Sequence, residues 1–412
     1  MNRISRRAVL GAAVAAPFLL STRRTWALRP EGAIASFTYR ASDAALGDLK
    51  ARLAATRWPE RETAPDWSHG VPLDRMRALA DYWRDGYDWR RTEARLNRWP
   101  QYTTRIDGID IHYIHVRSPH PNAMPMILTH GWPSTVLLFQ EVIGPLADPL
   151  VHGGTAADAF DLVIPSLPGF AFSDKPTDTG WDAARVARAW SVLMARLGYQ
   201  RYVAQGGDWG AYVTTALAQH RPPGLAAIHL NFAQTIPDVI PQTLLRDQKR
   251  AVDALMAYRG SGSGYARIQA TRPQTVGYAL ADSPAGQAAW IYDIFDSGTG
   301  ATGNPDAVLS RDHMLDEITL YWLTNTAASS ARIYGEQARM LGERNNPGRV
   351  EIPVGVSVFP KDLPPARSWA PLVYPKLFYW NERDRGGHFA QLEVPELFVE
   401  ELRRCFRTFP SP

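Results

Sequence analysis

The chain has 412 residues, 45% of them apolar and 21% charged, proportions that exclude a disordered chain and a polytopic membrane protein. At roughly 150 residues per domain the length accommodates two or three domains, or one large α/β domain with an inserted cap. The net charge of +4 has a local origin: Arg3, Arg6, Arg7, Arg23 and Arg24 lie in an acid-free stretch and alone outweigh the excess of 45 basic over 41 acidic residues, so the body carries no basic stripe for a nucleic acid.

Residues 1–27 read as an address rather than as fold. A positive start is followed by an apolar run from Ala8 to Leu20, too short to span a ~30 Å hydrocarbon core as a helix. Ser5-Arg6-Arg7-Ala8-Val9-Leu10 resembles the twin-arginine export signal, with Val9 where Phe is usual. Export to the periplasm, with no stable membrane span after processing, is the expectation.

Residues 28–118 form the next unit. Leu46, Leu49 and Leu53 after Ser42 predict a helix ended by Trp58-Pro59, and Leu73, Met76, Leu79 and Trp83 after Pro72 predict a second. The stretch from about 34 to 105 shows no alternating strand pattern, so it is expected to pack on the body as a meander. Strand-like runs follow at Ile109 to Val116, Met124 to Thr129, Phe160 to Leu167, Tyr202 to Gln205, Ala226 to Phe232, Val354 to Phe359 and Lys376 to Trp380. Amphipathic stretches lie between them, such as Trp181 to Leu197 with Val186, Trp190, Leu193 and Leu197 on one face. The alternation predicts a mostly parallel sheet with helices on both faces, split into core segments 119–233 and 346–412. Between them, 234–345 is helical in pattern and reads as a cap roofing the carboxyl ends of the strands, where sites of open α/β sheets lie.

Three loops carry the chemistry. Gly206-Gly207-Asp208-Trp209-Gly210 joins a strand to a helix in the G-x-nucleophile-x-G pattern of an elbow, with a carboxylate at the central position. A carboxylate attacks a saturated electrophilic carbon and leaves an alkyl ester on the enzyme. Taken alone, Gly-Gly-Asp also suits an ordinary turn, but it lacks the dinucleotide-binding spacing. His130-Gly131-Trp132-Pro133 ends another strand, at the place where α/β-hydrolases supply one oxyanion-hole N–H, the residue after the nucleophile supplying the other; the donors are then Trp132 and Trp209. His130 itself reads as a structural histidine, and Pro133 as a residue that fixes the loop. Asp362, just past a strand, and His388, in the glycine-bounded loop Arg385-Gly386-Gly387-His388-Phe389, complete the order nucleophile, acid, histidine. His388 is the expected base for water and Asp362 its orienting acid.

Other candidates fall away. His112 and His115 point to opposite faces of a strand and cannot share an ion. The lone Cys405 makes no internal disulfide or thiolate cluster and reads as a helix-packing residue. No metal or cofactor is expected.

With these motifs in place the chain resembles the microsomal type of epoxide hydrolase, an α/β-hydrolase family, from about residue 34 to the end. The resemblance rests on the elbow, on His130-Gly131-Trp132-Pro133, on Pro168-Gly169-Phe170-Ala171-Phe172-Ser173, on Phe359-Pro360-Lys361-Asp362-Leu363 and on Gly386-Gly387-His388-Phe389. In the amino-terminal region it rests on Trp58-Pro59 and Gly86-Tyr87-Asp88-Trp89-Arg90. It implies an epoxide and water as reactants, a diol as product and two cap tyrosines on the ring oxygen. Ser263-Gly264-Tyr265-Ala266 and Ile333-Tyr334-Gly335-Glu336 match that pattern and nominate Tyr265 and Tyr334. A phenol of pKa ~10 stays protonated at neutral pH and can serve a departing alkoxide. A haloalkane dehalogenase would share the elbow aspartate, with Trp209 serving the halide, and a non-catalytic protein on this scaffold would lack a triad member. The aromatic and apolar cap residues Trp290, Ile291, Tyr292, Phe295 and Trp322 suit either a substrate tunnel or a helix core. Oligomeric state and the particular epoxide are not readable.

Overall fold

The computed structural model describes residues 31–341, 346 and 348–409, so residues 1–27, read above as an export signal, lie outside the described residues. Among the described residues nine strands form one sheet: β1 Ile34–Phe37, β2 Gln101–Ile106, β3 Ile109–Val116, β4 Met124–Thr129, β5 Phe160–Pro165, β6 Tyr202–Gly206, β7 Leu225–Leu230, β8 Val354–Val358 and β9 Leu377–Glu382. Their spatial order is β1-β2-β3-β5-β4-β6-β7-β8-β9. From β5 to β9 all neighbours are parallel, while β1, β2 and β3 extend the β5 edge antiparallel. Every residue of β5, β6 and β8 is buried, the mark of strands covered on both faces. This is the α/β-hydrolase architecture that the motif order implied.

The meander expectation for 34–105 needs correction, because that stretch contributes β1 and β2 to the sheet. Gln101-Tyr102-Thr103-Thr104-Arg105-Ile106 carries too few apolar residues to announce a strand, yet four of its six positions are buried. Buried polar pairing explains this: Gln101 meets His112 on β3 at 3.0 Å, and Thr104 donates to Ala33 O at 3.0 Å. The two predicted helices are present as Asp43–Ala54 and Leu73–Asp85, and a third, Trp89–Leu96, follows.

Among the described residues, those between β7 and β8 form no strand. They hold the helices Arg246–Ala257, Gly264–Thr271, Pro273–Asp282, Pro284–Thr299, Arg311–Thr324 and Ala327–Leu341. The amino-terminal region grips this helical segment through polar contacts. Trp83 Nε1 donates to Thr319 Oγ1 at 2.8 Å, Tyr82 Oη to Asp312 at 2.7 Å and Trp67 Nε1 to Asp293 at 2.7 Å. Buried Asp316 accepts from Tyr87 Oη at 2.7 Å, from Thr92 and from Arg95 at 2.6 Å. Tyr292 and Phe295 are fully buried, and Phe295 packs on Phe389 with ring centroids 4.8 Å apart; these two cap aromatics are core. Among the described residues no helix is long and apolar enough to cross a membrane.

Candidate active site

The loops that leave β4, β6, β8 and β9 all emerge from the carboxyl ends of parallel strands and meet. After β6 the chain turns at Asp208 with φ 51° and ψ −127°, and the helix Trp209–His220 begins at once. A side chain there is strained, a state that persists only where its surroundings enforce it. The surrounding glycines show the enforcement. A Cβ on Gly206 would lie 2.1 Å from Gly210 O, and one on Gly210 would lie 1.9 Å from Thr129 O. Strand, elbow and helix therefore touch backbone to backbone, and only glycine permits it.

Asp208 is held from two sides. Trp132 N–H donates to its Oδ1 at 2.7 Å, and a Cβ on Gly131 would stand 2.2 Å from the same oxygen. Trp209, the first residue of the helix, presents one of the N–H groups that a helix start leaves without an intrahelical acceptor. On the other side His388 Nε2 lies 3.4 Å from Asp208 Oδ2, and His388 Nδ1 lies 3.0 Å from Asp362 Oδ1. Leu363 N–H fixes the same Asp362 oxygen at 2.8 Å. Burial alone would lower the His388 pKa, but the Asp362 charge and the hydrogen bonds to Asp208 and Asp362 outweigh it and hold the value well above 6.5.

The histidine loop is itself braced. Lys361 N–H donates to Gly386 O at 3.1 Å, and His388 N–H donates to Gly298 O, on the helix Pro284–Thr299, at 3.0 Å. Glu393 accepts from Phe389 N–H at 2.8 Å, and its carboxyl is pushed up to about 7, chiefly by burial.

Tyr265 and Tyr334 stand over the two tryptophans. Tyr265 stacks on the Trp132 ring at 5.1 Å and 17°, and Tyr334 packs edge-on against Trp209 at 4.7 Å. The two phenol rings are 5.9 Å apart, and Tyr334 Oη is buried with no hydrogen-bond partner among the described residues. Burial, neighbouring tyrosines and the Asp208 charge hold both phenols well above 10, so both are proton donors at neutral pH. The structure thus brings Asp208, Asp362, His388, Tyr265, Tyr334, Trp132 and Trp209 into one place.

His130 is placed otherwise. It is fully buried, with Nδ1 3.0 Å from Gly131 O and Nε2 3.2 Å from Leu167 N. Its proton therefore sits on Nδ1, and burial lowers its pKa to about 4. It is a neutral brace of the Trp132 loop. His112 bonds Ser166 and Gln101 while His115 bonds Tyr199, on opposite faces of β3. Among the described residues no group of three or more His, Cys, Asp or Glu is arranged to hold a metal ion.

Three residues at the site escaped the sequence reading. Glu393 follows His388 by five positions, the spacing of a loop and a first helical turn. Glu317 is a buried acid whose Oε2 accepts from Thr135 Oγ1 at 2.6 Å, joining the helix Arg311–Thr324 to the Trp132 loop. Tyr258 lies seven residues, two helical turns, before Tyr265, and their hydroxyls are 3.4 Å apart.

Comparison with known proteins agrees with this geometry. The family model for the epoxide hydrolase N terminus matches residues 34–139, and that for the alpha/beta hydrolase fold matches 124–262. A protein of Stigmatella aurantiaca carrying an epoxide hydrolase name is 58% identical over 376 residues, covering 91% of this chain and 85% of that protein. Epoxide hydrolase 1 of Sus scrofa is 33% identical over 399 residues, covering 90% and 88%. Among solved structures, the juvenile hormone epoxide hydrolase of Bombyx mori superposes with a TM-score of 0.82 at 28% identity, covering 92% of this chain and 95% of that one. The Aspergillus niger epoxide hydrolase gives 0.81 at 30%, covering 92% and 97%.

Proposed function

The chain belongs to the epoxide hydrolase family, and from that premise we propose that it converts an epoxide and water to a vicinal diol through an ester formed on Asp208. The observation that carries the proposal is the placement of the Asp208 carboxylate between an oxyanion donor at 2.7 Å and His388 at 3.4 Å, with two protonated phenols over the adjoining tryptophans. Oδ1, bound by Trp132 N–H, is the oxygen that becomes the ester carbonyl, and Oδ2 is the attacking atom. Oδ2 bonds to an epoxide carbon, the C–O bond on that carbon breaks, and the ring oxygen takes a proton from the phenol pair Tyr265 and Tyr334. Water then attacks the carbonyl carbon of Asp208. His388 accepts its proton, Asp362 steadies the imidazolium, and Trp132 and Trp209 N–H groups hold the oxyanion; the Cγ–Oδ2 bond then breaks, Oδ2 leaves in the diol with the proton returned by His388, and the proton of the new Asp208 carboxyl restores the phenol. Esterification erases the Asp208 charge and with it part of what keeps His388 protonated, so the ring becomes a base at the stage that needs one.

His388→Gln tests the order of events. Acid-quenched enzyme mixed with an aryl oxirane should accumulate the peptide containing Asp208 at a mass increased by one substrate molecule. An unmodified peptide beside continued diol release would contradict a covalent route.

We further propose that residues 1–27 direct twin-arginine export. Expression of the full chain in a Gram-negative host should place active enzyme in the periplasm, and Arg6→Lys with Arg7→Lys should retain it inside. Export unaffected by both changes would refute that route.

A further inference from the structure

A third phenol reaches the site. Tyr258 opens the π-helical turn Tyr258–Gly262, which interrupts the helical segment just before the helix bearing Tyr265, and such turns commonly mark functional positions. Its ring is partly exposed, its hydroxyl faces the Tyr265 hydroxyl at 3.4 Å, and it feels the Asp208 charge. Tyr265 and Tyr334 are therefore not equivalent. The oxygen of Tyr265 has a hydroxyl beside it, whereas that of Tyr334 has no hydrogen-bond partner among the described residues.

We propose that Tyr258 is a positioning residue that donates its hydroxyl proton to the Tyr265 oxygen while Tyr265 gives its own proton to the opening epoxide. The inference rests on the role given to Tyr265 above. A phenol carries one proton, so once Tyr265 spends it on the ring oxygen only Tyr258 can be the donor between them. As the Asp208 Oδ2–carbon bond forms and the carbon–oxygen bond breaks, the electron pair of the broken bond goes to the ring oxygen. That oxygen takes the Tyr265 proton, and the negative charge passes to the Tyr265 oxygen, where the Tyr258 hydroxyl meets it. Hydrogen bonds in series strengthen one another, and a bond to a charged oxygen is stronger than one to a neutral one. The separation of 3.4 Å is longer than the 2.7–2.8 Å typical of O–H···O bonds, as is common for catalytic contacts before substrate arrives.

Tyr258→Phe removes one oxygen from a partly exposed ring and keeps its packing. In single-turnover experiments with aryl oxiranes the ester-forming step should slow about 10-fold, while hydrolysis of the ester proceeds at the wild-type rate. Across substituted oxiranes the deficit should grow with the basicity of the departing alkoxide, a trend that altered packing does not produce. Ester formation at the wild-type rate, or equal slowing of both steps, would overturn the inference. Tyr265→Phe separates the two readings. If it stops ester formation while Tyr258→Phe has no effect, only the supporting role fails; if it leaves ester formation intact, the role of Tyr265 fails and this inference with it.

Discussion

Asp208 and His388 share more than proximity, because the carboxylate helps to keep the imidazole protonated. His388 is held protonated by the two carboxylates beside it, and Asp208 lies 3.4 Å away on the side opposite Asp362. Neutralising Asp208 should therefore lower the His388 pKa. Histidine titration by NMR on Asp208→Asn should find His388 titrating below its wild-type value; an unchanged or raised value would show that Asp362 alone controls it. The proposed triad was legible in the sequence because each member follows a strand, Asp208 and His388 in glycine-marked loops, and chain order suggested the roles. Tyr258, Glu317 and Glu393 were not legible. No local pattern separates them from packing or solvated residues, and their significance appears only when a distant loop is brought against them.

At the level of elements, the helix Arg311–Thr324 links the amino-terminal region to the catalytic loops. One side carries Asp312, Asp316 and Thr319 toward Tyr82, Tyr87 and Trp83, and another carries Glu317 to Thr135 and Tyr321 to Ser134 O at 3.5 Å. Burial, reinforced by the Asp316 charge, pushes the Glu317 carboxyl up to about 8. In the unfolded chain this group ionises near 4.5, so between about 4.5 and 8 the unfolded state binds fewer protons than the folded one. Stability from this group is complete below the lower value and is lost as pH rises toward the upper one. Glu393, raised to about 7, adds to the same slope. Glu317→Gln keeps an acceptor for Thr135 and should flatten the fall in melting temperature across that window. An unaltered slope would show that Glu317 is ionised in the fold. The same helix explains why Trp89–Leu96 went unread: Thr92 and Glu93 are buried because they bond Asp316 and Ala41 N–H, not because they are apolar.

For the molecule as a whole, the sheet divides into a legible and an illegible part. Strands β4 to β8 bury continuous apolar runs and announce themselves. Strands β1 and β2 are short or polar: β2 forms on the edge of β3, where Gln101 meets buried His112, and β1 adds to β2, where Thr104 donates to Ala33 O. The helices Asp43–Ala54, Leu73–Asp85 and Trp89–Leu96 each bond the helical segment, through Arg52, Trp83 and Arg95, and that segment brings Tyr265 and Tyr334 against Trp132 and Trp209. What this arrangement does comes down to where the oxygen of water enters. One turnover of an aryl oxirane, with enzyme in excess, in water enriched in heavy oxygen should leave the label in the Asp208 carboxylate and an unlabelled diol. Label in the diol with none in the Asp208 peptide would mean that water attacks the epoxide directly.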